Sequence, residues 1–306
     1  GKIGDTAALA TANSFSSGNC STVTAGDPAL QHCDHPAAAV MAALVQGLSS
    51  IELEGTKHSK DAPLCRTPQI KRNEVAWKWY ESIGAPKLFV APLVGYSEPA
   101  FRLLCRSYGA DIASTPMIDA AGYVASERYR VEFAFTGGKE DRPLTTQLGG
   151  SEPESLAAAA ALVAPHCDAV ELNMGCPQRC AKKNGSGAFL MEDVAKATRC
   201  LTAMRRALDA HNASAQTRVA TVVKIRCFDD VPRTVALAQA LEAAGAEMIT
   251  VHGRTRHAGG GRRTAAQLAN WAWIRAVKEG VGIPCVSNGN IRHHQDVRDC
   301  FAATGC

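Results

Sequence analysis

No apolar run in the 306 residues comes near the roughly 18 needed to cross a bilayer as a helix, so no membrane partner is expected. No Cys-x-x-Cys pair occurs among the twelve cysteines, which are scattered along the chain. That spread does not suit a secreted disulfide scaffold. It fits reduced thiols in an intracellular protein, most of them small core residues such as Cys105, Cys200 and Cys285. Residues 1–60 hold no arginine, which argues against a mitochondrial transit peptide. An initiating Met is missing too; the chain starts at Gly1, and its natural N-terminus is expected to lie upstream. The expected compartment is the cytoplasm, with the nucleus as the alternative. Strong charge is also lacking, because a net +4 does not by itself imply nucleic acid. Apolar residues are plentiful at 46%, enough for one large domain with an appendage or for two modest ones.

Residues 1–70 are rich in Ala, Ser, Thr, Gly and His and read as a disordered, low-complexity extension, with one short helix over Ala37–Leu48. Residues 71–306 read as the folded domain, entered through an aromatic helical segment, Asn73–Tyr80. From Lys87 onward short apolar strands alternate with amphipathic helices. The strands are expected at Leu88–Ala91, Asp111–Ser114, Leu144–Gln147, Asp168–Leu172, Ala220–Lys224, Met248–Val251 and Pro284–Ser287. Helical spacing marks Pro99–Tyr108, Glu154–Ala164, Met191–Ala210, Pro232–Ala244, Ala265–Glu279 and His294–Ala303. Repeated units of this kind imply a parallel sheet with right-handed crossovers. Seven strands with no visible reversal of order imply a (β/α)8 TIM barrel. The sequence stops at Thr304-Gly305-Cys306, where an eighth strand would begin, so the barrel is expected to be incomplete.

The most informative stretch is Glu171-Leu172-Asn173-Met174-Gly175-Cys176-Pro177-Gln178-Arg179-Cys180. An apolar run ends there in Asn-x-Gly-Cys-Pro, which places an amide and a thiol at a strand tip. Gly175 is expected to permit the sharp turn, and Pro177 restricts Cys176 to an extended or turn conformation. Other strands end in polar residues as well: Gln147, Lys224 with Arg226, His252, and Asn288-Gly289-Asn290. In an α/β barrel all of these share the face where chemistry is done.

An amide, a lysine, a histidine and a neutral thiol around one cavity suit a flavin better than a metal. A Gln amide can both donate to and accept from the edge of a flavin ring, and a Lys beside it would stabilise the charge that appears on reduction. Backbone amides of Asn288–Asn290 and His252 could approach a phosphate. No metal is expected, because Cys176-x3-Cys180 lacks the usual spacing and no second ligand pair accompanies it. Three roles stay open for Cys176: a core thiol, a nucleophile, or a general acid acting as the neutral thiol. Cys180 reads as structural.

Several blocks, in order, resemble the signature of the tRNA-dihydrouridine synthases. They are Val90–Val94, Ser114–Met117, Asn173–Gln178, Lys224–Arg226, Thr250–Thr255 and Ser287–Ile291. Glu140–Leu144, Gly187–Met191, Phe228–Asp230 and Ala269–Trp271 resemble the eukaryotic branch acting on positions 16 and 17 of the tRNA D-loop; the branch acting on 20a and 20b is the nearest rival. The resemblance implies an FMN enzyme that reduces the uridine C5=C6 bond with NADPH or NADH as electron donor. By motif, Cys176 would protonate C5. Pro92, Leu93, Val94, Gln147, Lys224, His252, Asn288, Gly289 and Asn290 would hold FMN, with Leu93 standing where the family usually has Met. Asn173 and Arg226 would hold the uracil, and Lys182 and Lys183 would face substrate phosphates. The resemblance also implies that the last strand and a C-terminal helical RNA-binding domain are missing from this sequence, and that the full-length protein is a monomer.

Basic residues cluster after three strands: Arg179, Lys182 and Lys183; Arg254, Arg256, Arg262 and Arg263; and Arg292, His293 and His294. They are expected on the face of the thiol, where tRNA phosphates would need neutralising. Two other readings remain: a Schiff-base aldolase using Lys224 as the nucleophile, and a non-catalytic tRNA-binding remnant.

Overall fold

The computed structural model describes residues 70–133, 135–258 and 268–306. The N-terminal extension, with the helix expected over Ala37–Leu48, and Arg262 and Arg263 lie outside the described residues. Eight strands form one sheet: β1 (Phe89–Val90), β2 (Ile112–Ser114), β3 (Ile118–Asp119), β4 (Leu144–Gly149), β5 (Ala169–Met174), β6 (Ala220–Arg226), β7 (Met248–His252) and β8 (Cys285–Asn288). Seven of them run in the spatial order β1-β2-β4-β5-β6-β7-β8, and every pairing is parallel. Short β3 pairs with β4 off this path. Among the described residues β1 and β8 each have one strand neighbour, so the sheet is an incomplete TIM barrel with two open edges.

The sequence reading has all seven strands of the path and no element over Ile118–Glu132. That stretch forms β3 and two six-residue helices, α3 (Ala120–Ala125) and α4 (Glu127–Glu132). Both helices start at a side-chain cap: Asp119 accepts from Gly122 N and Ser126 accepts from Tyr129 N.

The remaining helices are α1 (Glu74–Ser82), α2 (Pro99–Ser107), α5 (Pro153–Val163), α6 (Arg179–Lys183), α7 (Val194–Asn212), α8 (Val231–Ala243), α9 (Trp271–Gly280) and α10 (His294–Thr304). Proline opens α2, α5 and α8, where its missing N–H costs nothing. Asp193, Asp230 and Asn270 cap α7, α8 and α9 by accepting from backbone N–H groups of the first turn. Leu156, Ala159, Ala160 and Val163 of α5 are fully buried at helical spacing.

Alternation along the strands divides the apolar residues into two cores. Val170, Leu172, Met174, Val223, Ile225, Ile249 and Val251 pack outward against the helices. Ala169, Ala220, Val222 and Met248 pack inward as a floor, sealed from below by Trp79 of α1. Above that floor the inward positions turn polar. This change from apolar to polar along each strand creates the site.

Acidic residues fix the register at the opposite, amino-terminal ends. Asp111 accepts from the N–H groups of Lys87 (2.7 Å) and Leu88 (2.8 Å). Asp168 accepts from Leu144 N at 2.6 Å and pairs with Arg142, and Glu247 accepts from Thr221 N at 3.1 Å and pairs with Arg205 and Arg218. In each case a carboxylate at the start of one strand holds the first N–H groups at the entrance of its neighbour.

Candidate active site at the carboxyl ends of the strands

Period two along β5 turns Glu171 and Asn173 inward, both buried at 3% and 8% exposure. Gln147 of β4 is the register partner of Glu171 and sits beside both. Its Nε2 donates to Glu171 Oε1 at 2.6 Å, and its Oε1 accepts from Asn173 Nδ2 at 2.8 Å. Asn173 Oδ1 in turn accepts from the N–H groups of Gly175 and Cys176, at 3.0 Å each. Glycine was expected to permit this turn. Instead Gly175 is not among the residues with positive φ, and an added Cβ would stand at ordinary contact, 3.8 Å from Lys224 O. The Asn173 side chain holds the turn.

A different glycine is required there. Gly187 has φ +58°, and a Cβ on it would lie 2.5 Å from Cys176 O and 3.0 Å from Cys176 Cβ. Ala188 N donates to the same carbonyl at 2.9 Å. Gly187→Ala is therefore expected to displace the thiol while leaving the cores intact. Any reaction that uses this thiol should slow at least about 10²-fold, as with a misplaced reacting group, with a circular dichroism spectrum like that of the unaltered chain. Unchanged turnover would show that the thiol's position is not critical.

Lys224 of β6 is half-buried and donates from Nζ to Asn288 Oδ1 at 2.7 Å. Burial brings its ammonium down to about 8, with Glu171 opposing the shift and Arg226 adding to it. Burial likewise raises the carboxyl of Glu171, while Lys224, Gln147 and Thr250 pull it back down. Ser114, Thr145, Glu171, Lys224, Thr250 and Asn288 line one cavity above the apolar floor, with Pro92 at its edge. Leu93 and Val94 do not line it; they are exposed at its rim, at 44% and 68%.

Arg226 is buried and braces the thiol turn, donating from Nε to Gly175 O (2.6 Å) and from Nη1 to Thr255 O (3.1 Å). His252 is held at about 2, mainly by burial and then by Lys224, Arg226 and Arg254, so its ring is neutral. Arg254 Nη1 lies 3.0 Å from His252 Nε2. A guanidinium can only donate, so Nε2 accepts and the proton sits on Nδ1. Arg254 Nη2 also donates to Asn290 Oδ1 at 2.6 Å. That oxygen accepts from Ala269 N at 3.1 Å as well, so the Asn290 side chain ties the loops together. Gly289 has φ +112°, and a Cβ there would stand 2.9 Å from His252 Cδ2. Its bare backbone lets the β8 turn lie against the histidine.

Most of the expected residues thus fall into linked groups at the strand tips. Gln147, Asn173 and Cys176 form a chain; Lys224 and Asn288 form a pair; His252, Gly289 and Asn290 meet through Arg254; and Arg226 bridges the β5 and β7 tips. Arg179, Lys182 and Lys183 are exposed on α6, directly after the thiol turn. The sequence reading assigned no role to Glu171, which it placed within an apolar run. The signal was available in its two-residue spacing from Asn173.

Residues 89–306 match the family described as dihydrouridine synthase (Dus). The chain is 41% identical over 228 residues to a tRNA-dihydrouridine(16/17) synthase-like protein of Rattus norvegicus, covering 74% of this chain and 49% of that protein. It is 39% identical over 230 residues to the tRNA-dihydrouridine(16/17) synthase of Saccharomyces cerevisiae, covering 74% and 52%. A tRNA-dihydrouridine(20a/20b) synthase-like protein of Mus musculus is 37% identical over 218 residues, covering 70% and 62%. The chain spans about half the length of the 16/17 relatives it matches.

Proposed function

The chain belongs to the dihydrouridine synthase family, and from that premise we propose that it reduces uridine to 5,6-dihydrouridine in the D-loop of tRNA, at positions 16 and 17, with FMN as cofactor and NAD(P)H as electron source. The observation that carries this reading is the thiol of Cys176 on a turn fixed by Asn173, which is joined through Gln147 to Glu171 in the lining of a polar cavity whose one ammonium, Lys224, pairs with Asn288. Identity of 41% and 39% to two 16/17 relatives, against 37% to the 20a/20b relative, favours the former positions.

The donor set fits FMN. Lys224 lines the cavity and would meet the polar edge of the ring system, Gln147 would join it there, and Pro92 would flank the ring. His252 and the Gly289–Asn290 backbone would face the phosphate, helped by the absence of a side chain at Gly289. When bound and reduced, FMN supplies the hydride that adds to C6 of the uracil. Cys176 donates its thiol proton to C5, and Asn173 and Arg226 orient the ring. A uridine within folded tRNA must be extruded to reach this depth, so phosphate contacts should dominate binding. Arg179, Lys182 and Lys183, exposed on α6 directly after the thiol turn, would make them, and Arg256, which pairs with Glu192, would add to them.

Incubation with FMN, NADPH and unmodified tRNA, followed by mapping of dihydrouridine, tests the reading. Product at positions 16 and 17 is expected; product at 20a or 20b would move the assignment to the other branch, and no product under any flavin loading would support a binding remnant. Lys224 supplies a second test. Its ammonium is charged below about 8 and neutral above. FMN reduction should therefore weaken as pH rises through about 8, and Lys224→Met should remove that dependence. A carbonyl adduct trapped on Lys224 by borohydride would favour the aldolase instead.

A further inference from the structure

Glu171 takes no part in the steps above, yet it ends a chain of side chains that leads to the thiol. We propose that Glu171 is a positioning residue that sets the direction of the hydrogen bonds from Gln147 through Asn173 to the Cys176 turn. A carboxylate only accepts, and a backbone N–H only donates. Between these two fixed ends lie two amides, each of which could be reversed if it stood alone. Gln147 Nε2 must face Glu171 (2.6 Å), so Gln147 Oε1 faces Asn173 Nδ2 (2.8 Å). Asn173 Oδ1 is then left facing the N–H groups of Gly175 and Cys176, both at 3.0 Å. Reversing either amide would bring donor against donor or acceptor against acceptor in a buried place, which is costly. The carboxylate thus acts at a distance, by enforcing from the far end the same orientation of Asn173 that the backbone N–H groups select, and so reinforcing one shape of the turn.

The value of this device to the reaction rests on the reading of Cys176 as proton donor, but its test needs neither flavin nor tRNA. Hydrogen exchange of the amides of Gly175 and Cys176 is compared in the unaltered chain, in Glu171→Gln, and in the exchanged pair Glu171→Gln/Gln147→Glu. In the single variant the amide at 171 can present either atom, so only the backbone N–H end still fixes the direction and the reversed chain is opposed from one side instead of two. Exchange at Gly175 and Cys176 should then rise roughly 10-fold, as expected when a local hydrogen bond is lost. Amides of Val222–Ile225 should stay as slow as before. In the exchanged pair the new carboxylate at 147 accepts both from the new amide at 171 and from Asn173 Nδ2, so protection should return. A general loss of packing could not produce that rescue. Unchanged exchange in the single variant, or a folded double variant that stays unprotected, would overturn the proposal. Should the single variant not fold, the double variant decides alone: protection as in the unaltered chain supports the relay, and faster exchange or failure to fold refutes it. Failure of uridine reduction would leave this result untouched, and unchanged exchange would leave the uridine reading untouched.

Discussion

Replacing Cys176 with alanine is expected to slow uridine reduction by about 10²–10⁴-fold, the usual contribution of a general acid, while FMN stays bound. The turn should survive the change, because it is held by Asn173 Oδ1, by Arg226 on Gly175 O and by Ala188 N on the carbonyl of residue 176. None of these contacts uses sulfur. Reduction of the flavin by NADPH should proceed at its ordinary rate, since in the proposed reaction the thiol would act only when the uracil ring takes up its proton. Rapid mixing separates the two halves: flavin reduction followed by absorbance with NADPH alone, and reoxidation followed on adding tRNA. Only the second should slow. A variant that reoxidises on tRNA as fast as the unaltered chain would remove Cys176 from the reaction.

The largest effect on stability is expected far from the thiol, at Asp141. Its carboxylate accepts twice from Arg102 Nε, at 3.1 and 3.0 Å, in a pair whose side chains are each 3% exposed. Arg106 stands 3.5 Å away on the other side. Asp141→Ala would leave Arg102 charged, buried and without its carboxylate, and breaking a buried pair from one side costs about 3–5 kcal/mol. Urea unfolding should show that loss as a lower midpoint with little change in slope. Removing both charges, as in Asp141→Leu with Arg102→Met, should recover much of it, because an apolar pair escapes the desolvation penalty. If the single variant lost less than 1 kcal/mol, the pair would be no different from a surface bridge. Arg102 Nη1 also donates to Ser97 O at 2.6 Å, and Ser97 Oγ accepts from Leu93 N at 2.9 Å. The same variant should therefore loosen the exposed Leu93–Val94 rim.

The sheet path was legible in the sequence because each buried strand is an apolar run between turn residues. Where its strands end was less so. Leu144–Gln147 extends to Gly149, Asp168–Leu172 becomes Ala169–Met174, and Ala220–Lys224 extends to Arg226. Each reading stopped too early for the same physical reason. Inside a barrel the inward residues near the strand tips are polar, so the ladder continues past the point where apolar character fades. Glu171 was hidden by the converse effect, since a carboxylate flanked by Val170 and Leu172 resembles an interruption in an outward-facing run. The β3–α3–α4 stretch is built from elements too short to show a period, and its caps, Asp119 and Ser126, carry the information instead. The site residues themselves were legible as strand-end polar groups. Their mutual bonds were not, because register between neighbouring strands is set by the amino-terminal carboxylates Asp111, Asp168 and Glu247.

The order of the sheet path bears on how the chain acquires its shape during synthesis. From β4 onward each new strand joins the edge left by the strand before it, and none is inserted between two already paired. A nascent chain emerging from the ribosome can therefore commit each βα unit to its final neighbour before the next unit exists. Asp168 and Glu247 arrive only with the following strand, so each addition fastens the entrance of the one already in place. A ribosomal pause after β6 would thus leave Thr221 N awaiting Glu247, and a growing edge exposed to other nascent chains.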